Sequence, residues 1–237
     1  MQVRGVLFDL DDTLFDHNFA TIHALADLCV EEPAFTCWPV HELQARHSAL
    51  LEEVHAQVLA GRMTIPAARH ERFRRLLRDA TNADVLDSRP THLAAFYRAA
   101  YEKAWQPVPG AVALLTALRA AGLRIGIVTN NVVAEQRDKL RRCGLDVLID
   151  ALVTSEETGS AKPDPAIFAV ALEQLELTPQ ASVMVGDAWA TDIIGAQNAG
   201  VRPVWFNWRG SASPDSTIAE MRSLEATDRV KETILGT

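Results

Sequence analysis

A chain of 237 residues, 48% hydrophobic and 23% charged, suits one large domain or a core with an insertion, and its composition excludes a disordered or fibrous protein. The formal net charge of -8 sets the overall field against nucleic acid and anionic membranes, so any polyanion would need a local basic patch. Cys29, Cys37 and Cys143 are odd in number and lack C-x-x-C spacing, which argues against a disulfide framework or a zinc site and reads as reduced core cysteines.

The chain opens on a short apolar run, 3–8, that soon meets three aspartates, unlike a secretory leader. No uncharged stretch approaches the roughly 18 residues of a membrane span, so a cytoplasmic location is expected. Residues 16–106 carry no comparable run. Their periodicity predicts an inserted all-helical unit with helices near 17–32, 40–59, 66–80 and 92–105, broken at Gly61 and at Arg89-Pro90. The run Arg69-His70-Glu71-Arg72-Phe73-Arg74-Arg75 reads as a solvated helix face. After the stiff Gln106-Pro107-Val108-Pro109 segment, a helix over 112–121 ends at Gly122, placed as a C′ residue, and feeds an apolar run at 123–128. Further runs follow at 147–153, 182–185 and 201–206, with a helix between them that Asp164 caps and Pro165 opens. Apolar runs without polar alternation are strands buried on both faces of a parallel sheet. Alternating with helices, they predict an α/β doubly wound core, 1–15 and 107–237, interrupted by the helical insertion, 16–106.

In such a sheet, ligands bind beyond the carboxyl ends of the strands. Polar residues collect there: Asp9 and Asp11 after the first run, Thr129-Asn130-Asn131 after the second, Lys162 in the loop after the third, and Gly186-Asp187, then Asp192, after the fourth. Clustered carboxylates repel one another unless a cation neutralises them, and a hard divalent ion with oxygen ligands does so. Magnesium shares its shell between protein carboxylates and phosphate oxygens, so the implied substrate is a phosphate ester. Two aspartates spaced i, i+2 suit a nucleophile, Asp9, and a proton carrier, Asp11, with Thr13 orienting the turn by hydrogen bonding.

The four motifs Asp9-Leu10-Asp11-Asp12-Thr13-Leu14, Val128-Thr129-Asn130, Lys162-Pro163-Asp164-Pro165 and Gly186-Asp187-Ala188-Trp189-Ala190-Thr191-Asp192 occur in the order that resembles the haloacid dehalogenase superfamily, specifically its phosphatase branch. The resemblance implies a nucleophile at Asp9 and a general acid/base at Asp11. It implies Mg²⁺ held by Asp9, the Asp11 carbonyl and Asp187, with Asp192 in or near the surrounding shell. Thr129 and Asn130 would hold the phosphate, and Lys162 would neutralise both it and Asp9. The helical insertion resembles the family's cap, where substrate choice is usually encoded. The expectation is Mg²⁺-dependent hydrolysis of a small phosphorylated metabolite, with no nucleic acid or membrane partner and an undetermined oligomeric state. Asp11 argues against the family's dehalogenases, and the absence of lysine from 16–102 argues against its phosphonatases. A phosphomutase shares the same motifs. A phospho-accepting receiver differs in motif order, and intact Asp9, Asp11, Lys162 and Asp187 oppose a non-catalytic binding module. His17 and Asn18 follow the first motif closely enough to be weighed as substrate contacts, and Trp189 as a packing residue.

Overall fold

The computed structural model describes residues 2–85 and 88–236. Met1, Leu86, Asp87 and Thr237, which the expected segments include, lie outside the described residues. The chain divides into two compact units, Met1–Asp16 with Gln106–Thr237, and His17–Trp105.

The His17–Trp105 unit is built from helices α1 (His17–Glu31), α2 (Val40–Leu59), α3 (Ile65–Thr81) and α4 (Arg89–Lys103). Thr64 caps α3 through its side chain, with Pro at the first turn. Arg89-Pro90, expected as a break, instead forms the first turn of α4, because proline lacks only an N–H that no first-turn residue uses. The basic run on α3 is not one solvated face. Arg74 and Arg75 pair with Glu71 and Glu53, whereas Arg72 is buried, its guanidinium 5.2 Å from the Phe73 ring centroid and 5.4 Å from that of Tyr97. His17 Nδ1 lies 2.6 Å from the Tyr101 hydroxyl, and Asn18 Oδ1 accepts from Gln44 Nε2 at 2.6 Å.

In the other unit, six parallel strands form one sheet, β1 (Gly5–Phe8), β2 (Arg124–Thr129), β3 (Ala151–Thr154), β4 (Ser182–Gly186), β5 (Arg202–Phe206) and β6 (Ala219–Met221), in the order β3-β2-β1-β4-β5-β6. β1 and β4 are buried along their whole length, which accounts for their unbroken apolar sequence. The helices are α5 (Ala111–Ala120), α6 (Val133–Arg142), the short α7 (Ser155–Thr158), α8 (Pro165–Gln174), α9 (Ile194–Asn198) and α10 (Thr227–Leu235). Asp164 caps α8 by accepting from the Ala166 N–H, and Gly122 takes the left-handed conformation one residue past the C-cap of α5. Ile167, Phe168 and Ala171 of α8 pack on Leu7, Val128 and Met184 of the sheet. Chain order reverses around β1, with β2 and β3 on one side and β4 to β6 on the other, so the crevice falls at the carboxyl ends of β1 and its neighbours.

No helix among the described residues is long and apolar enough to cross a membrane. All three cysteines are free, but only Cys143 is buried. Cys29 is half-buried and Cys37 exposed, which corrects the reading of all three as core residues.

Candidate active site

β1 delivers Asp9 to the crevice and the chain then turns sharply. The Leu10 carbonyl accepts from the N–H groups of Thr13, Leu14 and Phe15, and Asp12 takes a positive φ of 61°, a conformation aspartate tolerates better than most residues. The backbone, not Thr13, orients this turn: the Thr13 hydroxyl is buried without a hydrogen-bond partner, a departure from the role expected of it.

Asp9 is 7% exposed and its Oδ1 lies 2.5 Å from Lys162 Nζ, which also meets Asp192 Oδ1 at 2.7 Å. Lys162 is itself buried. Burial pushes the Asp9 carboxyl well above the carboxylate range, Lys162 opposes this, and the Asp192 and Asp187 charges push the same way as burial. Burial alone would lower Lys162, but Asp192 and Asp9 outweigh it and hold the ammonium above the ordinary lysine range. We take Lys162 as charged, because it has two carboxylates within hydrogen-bond distance.

Asp9, Asp187 and Asp192 each place a carboxylate oxygen within 4.8 Å of the others. Asp187 directly follows β4. Burial first, then the Asp192 and Asp12 charges, push its carboxyl up to about 6 against the pull of Arg209. Asp192 is fully buried and accepts from the Ala188 N–H at 3.0 Å, so it is neither solvated nor a simple helix cap. Gly186 makes room for it. A Cβ on residue 186 would stand 2.3 Å from Asp192 Oδ2, and Asp192 is tied down on two sides. Gly186→Ala should therefore lower stability by about 1–3 kcal/mol in denaturant melts. A melt superimposable on the wild type would show that Asp192 is not fixed there.

The Asp11 carboxylate lies outside this trio and faces α6. Its Oδ1 meets Lys139 Nζ at 2.6 Å, and its Oδ2 accepts from Gln136 Nε2 at 2.9 Å. The same Gln136 amide donates to Thr129 Oγ1 at 2.8 Å. Thr129 is buried at the end of β2, so the motif-two hydroxyl and Asp11 are joined through one side chain. The Asn130 side chain is engaged by the loop that carries Lys162. Its amide faces the Lys162 backbone, accepting from the N–H at 2.7 Å and donating to the carbonyl at 2.9 Å. Trp189 packs edge-on against Trp205, ring centroids 5.0 Å apart.

Three residues of this neighbourhood escaped sequence reading. Gln136 and Lys139 lie on a helix too polar to register as a packed element. Arg209 bridges Asp187 Oδ2 at 2.7 Å and Asp12 Oδ2 at 2.9 Å from the loop after β5. The available signal was the scarcity of lysine: of four in the chain, Lys139 and Lys162 are both buried.

Chemically, the crevice combines a buried carboxylate beside an ammonium, a carboxylate trio suited to a hard cation, and a separate, partly open carboxylate held by donors. A parallel α/β sheet with an acidic cluster at its strand ends is the architecture of the haloacid dehalogenase-like proteins, and the chain belongs to that family, whose model, haloacid dehalogenase-like hydrolase, matches residues 3–200. Its relatives include the pyrimidine 5'-nucleotidase YjjG of Escherichia coli (strain K12), 34% identical over 95% of this chain and 97% of that one. The phosphoserine phosphatase of Thermus thermophilus is 32% identical over 94% and 98%. Among solved structures, the putative HAD-hydrolase YfnB from Bacillus subtilis bound to magnesium superposes with a TM-score of 0.74 at 27% identity, covering 97% of this chain and 99% of the other.

Proposed function

We propose that this protein is a Mg²⁺-dependent phosphate-monoester hydrolase that acts on a small phosphorylated metabolite through an aspartyl-phosphate on Asp9. The observation that carries the reading is the buried Asp9 carboxylate, 2.5 Å from Lys162 and grouped with Asp187 and Asp192. Oxygen donors alone, with one ammonium shared between two of the three carboxylates, fit a hard divalent cation better than a soft one. Asp9 and Asp187 would hold it with the Asp11 carbonyl, and Asp192 would steady Lys162 and the trio. When bound, magnesium supplies positive charge to the phosphate oxygens and favours the ionised form of Asp9.

The chain's own groups then divide the work. An Asp9 oxygen attacks phosphorus as the bond to the leaving oxygen breaks. Asp11, which enters the cycle protonated, gives its proton to the departing alkoxide and becomes the carboxylate that Lys139 and Gln136 face. It then takes a proton from the water that hydrolyses the aspartyl-phosphate, which returns both aspartates to the state in which the cycle began. Lys162 balances charge on Asp9 and the transferred group. Because Thr129 Oγ1 accepts from Gln136, its own hydrogen is directed elsewhere, and we assign it to a phosphate oxygen.

Relatives named as phosphatases and a nucleotidase support hydrolysis over mutase chemistry. The test is phosphate release from a panel of phosphorylated metabolites, beginning with pyrimidine nucleoside 5'-monophosphates and phosphoserine, with Mg²⁺ and with EDTA. We expect release with Mg²⁺ and loss of release with EDTA. Isomerised phosphate ester without free phosphate would favour a mutase, and activity indifferent to EDTA would remove the metal from the reading.

A further inference from the structure

Two buried lysines serve the first motif, one for each of its reacting aspartates. Lys162 meets Asp9, as described. Lys139, 2% exposed, meets Asp11, with Glu135 Oε1 3.5 Å away and the Phe15 ring centroid 4.9 Å away. Burying an ammonium costs several kcal/mol before any pairing offsets it, and a methionine or leucine at that position of α6 would pack without the cost. Gln136 lies one turn back on the same helix face, fully buried, and its amide meets the other Asp11 oxygen. One face of α6 thus directs N–H donors at both oxygens of a carboxylate whose side chain is otherwise 29% exposed. A carboxylate offers about four lone-pair directions, and these two donors fix one on each of its oxygens.

We propose that Gln136 and Lys139 are positioning residues that fix the rotamer of Asp11 for proton transfer to the leaving group. The inference rests on the reading of Asp11 as the proton carrier. It goes further in locating the groups that aim Asp11 outside all four motifs, on α6. The shared Gln136 amide also couples this aim to Thr129, so the proton carrier and a phosphate-facing hydroxyl keep a fixed relation.

The role of Asp11 and the aiming by α6 separate by leaving group. A p-nitrophenyl ester expels a stabilised phenolate that needs little protonation, whereas an alkyl phosphate expels an alkoxide that needs the proton. The ratio kcat/KM reports the step in which that group departs, whatever the fate of the aspartyl-phosphate. Lys139→Met should lower kcat/KM for the best alkyl phosphate by about 30-fold or more while lowering it for p-nitrophenyl phosphate by less than about 3-fold, and Gln136→Met, which also releases the phosphate-facing Thr129 hydroxyl, should lower both but the alkyl ester by about 10-fold more. Lys139→Arg, which keeps the charge and N–H donors but carries a bulkier head into a buried site, should recover part of the alkyl activity. Asp11→Asn, assayed alongside, should show the same split, larger. Gln136→Met leaves the ion pair in place and keeps the test open should Lys139→Met fail to fold. Equal losses on both esters, or none, in the α6 variants beside a clear split in Asp11→Asn would overturn the positioning role and leave the reading of Asp11 intact. An Asp11→Asn protein with no split would overturn that reading, and this inference with it.

Discussion

Asp9→Asn should abolish Mg²⁺-dependent phosphate release, with a loss of more than about 10⁴-fold, while leaving the fold as stable as before or more so. The amide matches the carboxylate in shape but carries no charge with which to attack phosphorus. Stability moves the other way because of where Asp9 sits. Its folded-state carboxyl lies above the unfolded value, chiefly through burial, so its contribution to stability is present below the unfolded value and lost as pH rises through the folded one. At pH 7.5 without metal, the wild type carries that penalty and D9N does not. The difference in melting temperature, measured in EDTA, should therefore favour D9N near neutrality and shrink towards pH 4. Retained turnover in D9N would defeat the covalent mechanism. A D9N protein much less stable than the wild type at pH 7.5 would show that the ion pair with Lys162 outweighs burial.

The second large effect is expected at Lys162. Its ammonium is shared between Asp9 Oδ1 at 2.5 Å and Asp192 Oδ1 at 2.7 Å, and all three side chains are buried. Lys162→Met leaves two buried carboxylates facing each other with no cation between them, a loss of about 3–5 kcal/mol and roughly 10 °C in melting temperature for a chain of this size. Activity should fall with it. Adding Asp192→Asn to Lys162→Met should restore part of the stability but none of the turnover, because it relieves repulsion without supplying charge to the phosphate. A Lys162→Met protein that melts with the wild type would mean that the lysine is not the electrostatic hub of the trio.

The strands were legible because burial on both faces leaves an unbroken apolar signature, and β1, β2, β4 and β5 fall within a residue or two of their apolar runs. The third run, 147–153, began four residues too early, since Asp146–Leu148 forms a short 3₁₀ turn before β3. β6 carried no such signature. It is three residues long, holds Glu220, and owes its existence to pairing with β5 at the sheet edge. Within the crevice, residues at or just beyond strand ends were visible because sheet topology sends them there: Asp9, Thr129, Asp187. Gln136, Lys139 and Arg209 were not, since a polar helix and a loop reveal their inward side chains only through packing at long sequence separation. Asn130 shows the same limit in reverse: its position was readable, its bonding partner was not.

That partner has a consequence for how the site works over many turnovers. The Asn130 amide grips the Lys162 peptide on both its N–H and its C=O, imitating one rung of a ladder between neighbouring strands beyond the end of β2. The loop that carries the lysine thereby inherits the rigidity of the sheet. A lysine side chain surrenders about 2 kcal/mol of rotamer freedom when it is fixed, and here that is settled once, at folding. On the proposed mechanism, each cycle would start from an electrostatic environment with little left to reorganise.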